Sequence, residues 1–110
     1  MSAIPADEAL ALADLITPVA DGIASRVLAK AAGGTVTLFA FDRGQGLSEH
    51  TTPFDALVLV LDGELRLDVG GAAVVAAPGT VVRLPASVPH AVEARQASRM
   101  LLLMLKDARP

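Results

Sequence analysis

Only two histidines occur among the 110 residues, and each lies in a stretch of regular glycine and proline spacing. His50 stands six residues after Gly44 and thirteen before Gly63. His90 closes a run that begins at Gly79 and passes through Pro85, Ser87 and Pro89. Imidazole titrates near neutral pH and is the commonest side-chain ligand of transition metals. Two imidazoles at the mouths of neighbouring strands define the floor of a small pocket, suited to holding a divalent ion or the polar end of a small ligand. Other reactive types are scarce, with no Cys, Tyr or Trp in the chain. Disulfides and thiolate metal sites are thereby excluded. Ser48, His50 and Asp55 have the residue types of a hydrolase triad, but a Ser and a His two apart on one extended segment cannot both aim at one carbonyl.

The elements that must position these histidines are short. Residues 7–16 read as a helix: Leu12, Leu15 and Ile16 have i, i+3, i+4 spacing, Asp7 and Glu8 suit a first turn, and Pro18 ends it. From about residue 25 the pattern becomes β. Segments 25–30 and 35–41 flank Gly33-Gly34 as a hairpin, and a short extended piece surrounds His50. Residues 55–61 turn at Asp62-Gly63 and are expected to pair with 64–69, where Leu65, Leu67 and Val69 alternate with Glu64, Arg66 and Asp68. Strands at 72–76, 80–84, 90–94 and 98–106 complete the set, separated by Gly and Pro. Many short, evenly spaced strands predict an all-β sandwich or barrel, with residues 1–22 a helix and arm and 23–108 the β domain.

Composition narrows the partners. The longest unbroken apolar runs, 56–61, 72–77 and 100–105, are six residues each, against the roughly 18 a membrane helix needs. No basic-then-apolar leader opens the chain, so the expectation is a soluble, cytoplasmic protein. Net charge is −3, cations are scattered singly, and three Phe are the only aromatic rings of the Phe, Tyr and Trp types; nucleic-acid and membrane partners are not expected. Runs 56–61 and 100–105 are apolar at every position, which implies burial on both faces of their strands. A homodimer packed through a sheet face follows as the expected cover.

The spacing around both histidines resembles the cupin superfamily. The first cupin motif runs Gly, five residues, His, one, His, three or four, Glu, six, Gly; Gly44, His50 and Gly63 match it. The second runs Gly, five, Pro, one, Gly, two, His, three, Asn; Gly79, Pro85 and His90 match that. Fifteen residues separate the two motifs, as in small single-domain bacterial cupins. The resemblance implies an RmlC-like double-stranded β-helix, a six- to eight-stranded jelly-roll barrel, commonly dimeric. It also implies a metal bound by three His and one Glu. Here Thr52 and Ala56 stand where the second His and the Glu would be, Ser87 replaces the loop glycine, and Ala94 the final Asn.

Strand alternation then predicts a pocket. With His50 and His90 facing inward, its wall is Thr52, Ala56, Val58, Val60, Val92 and Ala94, with Phe54 as a lid; Glu49 and Glu93 face away. Three readings follow. His50 and His90 hold a divalent transition metal such as Zn, Ni, Mn or Fe, giving an oxygenase or isomerase acting on a small organic acid or carbonyl compound. Alternatively, without metal, they bind a small molecule in a non-catalytic or sensing module. In the third, they are simply paired polar residues. A metal-free epimerase of the kind this fold supports needs a Tyr acid, which the chain lacks.

Overall fold

The computed structural model describes residues 4–106. Among these, nine strands form in chain order: β1 Ile23–Ala31, β2 Gly34–Phe41, β3 Gly46–His50, β4 Asp55–Asp62, β5 Leu65–Val69, β6 Ala72–Ala76, β7 Val81–Leu84, β8 His90–Ala94 and β9 Ser98–Leu105. They make two antiparallel sheets, ordered β1-β2-β9-β4-β7 and β3-β8-β5-β6. This is the all-β architecture that the spacing of strands and turns predicts, and the jelly roll that the resemblance implies.

The core lies between the sheets. β4 contributes Ala56, Val58 and Val60, β5 Leu65 and Leu67, β8 Val92 and Ala94, and β9 Met100, all buried in one cluster. Period-two alternation places these residues on the inner faces. A second cluster lies outside the five-stranded sheet, where Ile16, Leu28, Leu38 and Ala40 pack with Leu15, Leu61 and Leu101. The N-terminal segment thus covers part of the outer face that the apolar runs of β4 and β9 leave in need of cover.

Two expectations are corrected. Residues 7–16 do not form a helix; a single 3-10 turn, Leu12–Leu15, stands in their place. Asp7 adopts φ 62°, outside helical geometry, and Ile16 is extended. The Arg26 guanidinium donates to the Leu15 carbonyl at 3.1 Å, fastening the arm to β1. Burial against the sheet therefore decides the backbone here; a helix this short is marginal unaided.

The pairing of residues 55–61 with 64–69 is also wrong. β4 pairs with β9 and β7, while β5 pairs with β6 and β8. Asp62-Gly63 carries the chain from one sheet to the other. Asp62 remains opposite Arg99 and binds its guanidinium at 2.8 Å. Gly63 has φ 80°, and a Cβ there would collide with Ser98 Oγ and the Ala97 carbonyl. Ser98 Oγ instead accepts the Glu64 N–H at 3.0 Å, which locks the crossing.

Candidate metal and ligand site

His50 ends β3 and His90 begins β8, and the two are direct cross-strand partners. The register explains how they meet. Leu47 pairs with Val92, two residues beyond His90, yet Leu47 lies three residues before His50. β3 therefore carries one extra residue, a bulge over Ser48 and Glu49. In a regular strand Leu47 and His50 would face opposite ways; the bulge brings Leu47 against the core and His50 over His90 on the same side.

The rings meet edge to face with centroids 4.3 Å apart, and the two Nε2 atoms are separated by 3.1 Å. His90 is buried at 5% exposure, whereas His50 is exposed. The pair therefore sits at the barrel mouth, one ring in the wall and one toward solvent. Burial, followed by the charge His50 can carry, holds His90 below the ordinary imidazole value; its hydrogen bond to Val88 opposes them.

Each ring is fixed from behind by a main-chain carbonyl. His50 Nδ1–H donates to Ser48 O at 2.7 Å, and His90 Nδ1–H donates to Val88 O at 3.2 Å. A neutral imidazole carries one N–H. With both Nδ1 atoms protonated, both Nε2 atoms carry lone pairs 3.1 Å apart. Such an arrangement is repulsive unless a cation or a shared proton lies between them. It is also how metal-bound histidine is usually held, with the remote ring nitrogen donating to a carbonyl or carboxylate. Two metal–nitrogen bonds of about 2.0–2.1 Å spanning 3.1 Å enclose an angle of about 95–102°. That lies between octahedral and tetrahedral values, but an ion held there would have only two protein ligands, fewer than such ions take.

The other expected site residues have different roles. Thr52 Oγ1 donates to the Phe54 carbonyl at 3.0 Å and accepts the Phe54 N–H at 3.4 Å; it closes its own turn. Phe54 is half-buried and has the Lys106 ammonium 6.0 Å from its ring centroid. Ala56, Val58 and Val92 are core residues. Among the described residues no cluster of three or more His, Cys, Asp or Glu exists that could hold a metal. Asp55, beside the mouth loops, is committed: its carboxylate accepts the Ala86 N–H at 2.7 Å and meets Arg83 at 3.5 Å.

Sequence reasoning did not find the fastening of the mouth. The loop between β7 and β8 is tied to the loop after β3 by the Ser87 N–H, which donates to Thr52 O at 2.7 Å. Ser87 holds φ 62°, a left-handed conformation. Its place at the motif's glycine position was the available signal, since glycine is the residue that adopts this region freely.

Two antiparallel sheets closed as a jelly roll, with a histidine pair at one mouth, place the chain among the small β-barrel proteins. The cupin domain model matches residues 37–106, and the chain belongs to the cupin family. It is similar to a conserved protein of unknown function from Streptococcus pyogenes at 31% identity and TM-score 0.90, with 97% of this chain and 96% of that one covered. A cupin superfamily protein from Desulfitobacterium hafniense aligns at 29% identity and TM-score 0.89, covering 96% and 97%. KdgF from Halomonas sp., at 21% identity and TM-score 0.73 over 83% and 86%, shares the fold. Comparison with curated proteins finds no match.

Proposed function

We propose that this cupin binds a divalent transition metal through Nε2 of His50 and His90 and acts there, as an oxygenase or isomerase, on a small organic acid or carbonyl compound. The observation that carries this reading is the pair of carbonyl-anchored Nδ1–H groups, which leaves both Nε2 lone pairs free 3.1 Å apart. A metal-free small-molecule module is the alternative reading, in which a proton shared between the Nε2 atoms takes the place of the ion.

When bound, the ion supplies Lewis acidity toward a ligand oxygen. The chain's own residues do the rest. The Ser48 and Val88 carbonyls fix both rings, buried His90 keeps solvent from the inner side, and exposed His50 leaves the outer side open to ligand. The test is elemental analysis after stripping with a chelator and reloading with Zn, Ni, Mn or Fe. One equivalent per chain, lost in His50→Ala, is expected; a stoichiometry well below one in the unsubstituted protein refutes the reading.

We further propose that the protein works as a cytoplasmic homodimer through the outer face of its five-stranded sheet. Beyond the part covered by the N-terminal segment, that face carries half-buried Leu57, Leu59 and Leu103, with Val81 and Leu105 59% and 51% exposed. Exposed Arg83 and Asp55 flank these residues, paired at 3.5 Å. One cation and one anion beside an apolar centre make a self-complementary surface for a two-fold contact. Light scattering should give twice the chain mass, falling to one chain in Leu57→Lys; a monomeric unsubstituted protein overturns the proposal.

A further inference from the structure

Among the described residues four strands lie at sheet edges: β1 and β7 in one sheet, β3 and β6 in the other. An edge strand presents unpaired main-chain N–H and C=O groups, and folds usually blunt it with charge, a bulge or shortness. Three of these edges are blunted. β1 carries Arg26 and Lys30, is irregular between Val27 and Ala29, and has its Leu28 carbonyl taken by the Ile4 N–H at 3.3 Å. β7 is four residues long and carries Arg83. β3 carries Glu49 and His50 and contains the bulge described above. β6 has none of these protections. Residues 72–77 hold no charge and no proline, and the register of β6 on β5 is unbroken. Ala72, Ala73, Val74 and Val75 are all exposed, Val75 at 56%.

We propose that the β6 edge is a self-association surface. β6 of a second copy adds to it antiparallel, about a two-fold axis through Val74, and the two four-stranded sheets become one of eight strands. The segment's self-complementarity is what selects a second copy. A two-fold axis perpendicular to the sheet keeps both inner faces on one side, so only residues of the same face can oppose each other. Centring on Val74 is the register that pairs all five residues: Ala72 with Ala76, Ala73 with Val75, and Val74 with itself. Val74 lies opposite buried Leu67 of β5, so the inner row continues as apolar side chains across the junction. On the outer face Arg66 lies opposite Val75 and Asp68 opposite Ala73. Each outer row then runs from Arg66 through Val75 to Ala73 and Asp68 of the second copy. A cation ends the row on one protomer and an anion on the other, and no like charges are directly opposed. Five residues a side are far fewer than the roughly 20–30 of a stable interface. The contact is therefore weak, fills at high protein concentration, and is separate from the sheet-face dimer proposed above.

The chain has no cysteine, so introduced thiols report the register without background. The test uses protein that also carries Leu57→Lys, to remove the sheet-face contact, concentrated in a glutathione redox buffer. Directly opposed residues of an antiparallel pair have Cα atoms about 4.5–5.5 Å apart, within disulfide reach. The two copies of residue 72 are offset by four positions, roughly 13 Å, which is beyond it. Val74→Cys should therefore form a covalent dimer and Ala72→Cys none. A mixture of Ala73→Cys and Val75→Cys, both altered at exposed outer positions, should link to each other and neither to itself. Val75→Lys added to Val74→Cys should abolish the dimer, because a charge now guards the edge.

Equal linkage of all the thiols overturns the proposal, since collision then has no register. Linkage of none also overturns it, leaving an edge that is free or open to a foreign strand. A Val74→Cys dimer that survives Val75→Lys does the same. Each of these outcomes leaves the sheet-face dimer standing, because that contact is read by light scattering in protein without Leu57→Lys.

Discussion

The perturbation that best isolates the histidine pair is His50→Ala, read by thermal unfolding with and without metal. His50 is exposed, and substitutions at such positions usually change stability by no more than about 0.5 kcal/mol. In the stripped protein the pair is frustrated, because the two Nε2 lone pairs cannot both face each other across 3.1 Å. While both rings are neutral, one of them must move its proton to Nε2 and release a carbonyl. The looser bond is the one to Val88, at 3.2 Å against 2.7 Å for Ser48. Losing a neutral hydrogen bond costs about 1 kcal/mol, and removing His50 lifts that constraint. Stripped His50→Ala should therefore match or slightly exceed the stripped unsubstituted protein. Metal at a hundredfold excess over its Kd stabilises by about 2.7 kcal/mol. At about 4–8 °C per kcal/mol for a domain of this size, the unsubstituted protein should gain roughly 10–20 °C and His50→Ala almost nothing. Long-range proton–nitrogen spectra add an independent readout, with one Nε2–H tautomer in the stripped protein and Nδ1–H on both rings after loading. An equal metal-induced rise in both proteins refutes the site. Unchanged tautomers on loading refute the frustration argument.

Three further outcomes follow from the same geometry. Ser87→Gly relieves a left-handed residue at φ 62°; the relief of about 1–2 kcal/mol, less the extra unfolded-state freedom of glycine at about 0.5–1, leaves a net gain of up to about 1.5 kcal/mol, measurable as a higher Tm. Gly63→Ala forces a Cβ onto Ser98 Oγ and the Ala97 carbonyl, whereas Gly79→Ala, also at positive φ, meets open space. The first should cost about 2–4 kcal/mol and the second about 1, compared by urea unfolding; equal losses contradict the crowding argument. In the stripped protein, His90 has its folded pKa lowered from an ordinary 6.5. The unfolded chain then binds more protons between these values, so stability is full above about 6.5 and falls as pH drops toward the lowered folded value. His90→Gln should flatten that slope in denaturant titrations across pH 5–8.

How much of this was legible beforehand differs by level. Alternation at Leu65, Leu67 and Val69, and the unbroken apolar runs in β4 and β9, indicated which faces are buried. Periodicity reports a face and not a neighbour. Val58 and Val60 of β4 share one buried cluster with Leu65 and Leu67 of β5 in the other sheet, and facing the core from opposite sheets satisfies the same pattern as lying side by side in one. Asp62-Gly63 therefore reads as a hairpin turn, when the crowding at Gly63 and the Asp62–Arg99 contact make it a crossing. The N-terminal segment misleads for a related reason. Leu15 and Ile16 do pack on the domain, as their spacing suggests, but on the sheet's outer face in a chain that turns for only four residues.

The histidine pair shows the same limit more sharply, because its placement depends on one inserted residue. Spacing alone pointed to His50 and His90 as a pair. It did not reveal that Leu47 and His50, three apart, must share a side for the core and the site to coexist. The bulge at Ser48 and Glu49 reconciles them. It also makes Ser48 the carbonyl that receives His50 Nδ1–H, so one local irregularity both aims the ring and sets the tautomer that points its Nε2 lone pair at His90. Deleting either bulge residue should therefore separate two properties. Leu47 stays in the core and the barrel folds, but His50 turns to the opposite face and metal-dependent stabilisation disappears. A deletion variant that folds and still gains stability with metal would show that the bulge does not aim the site.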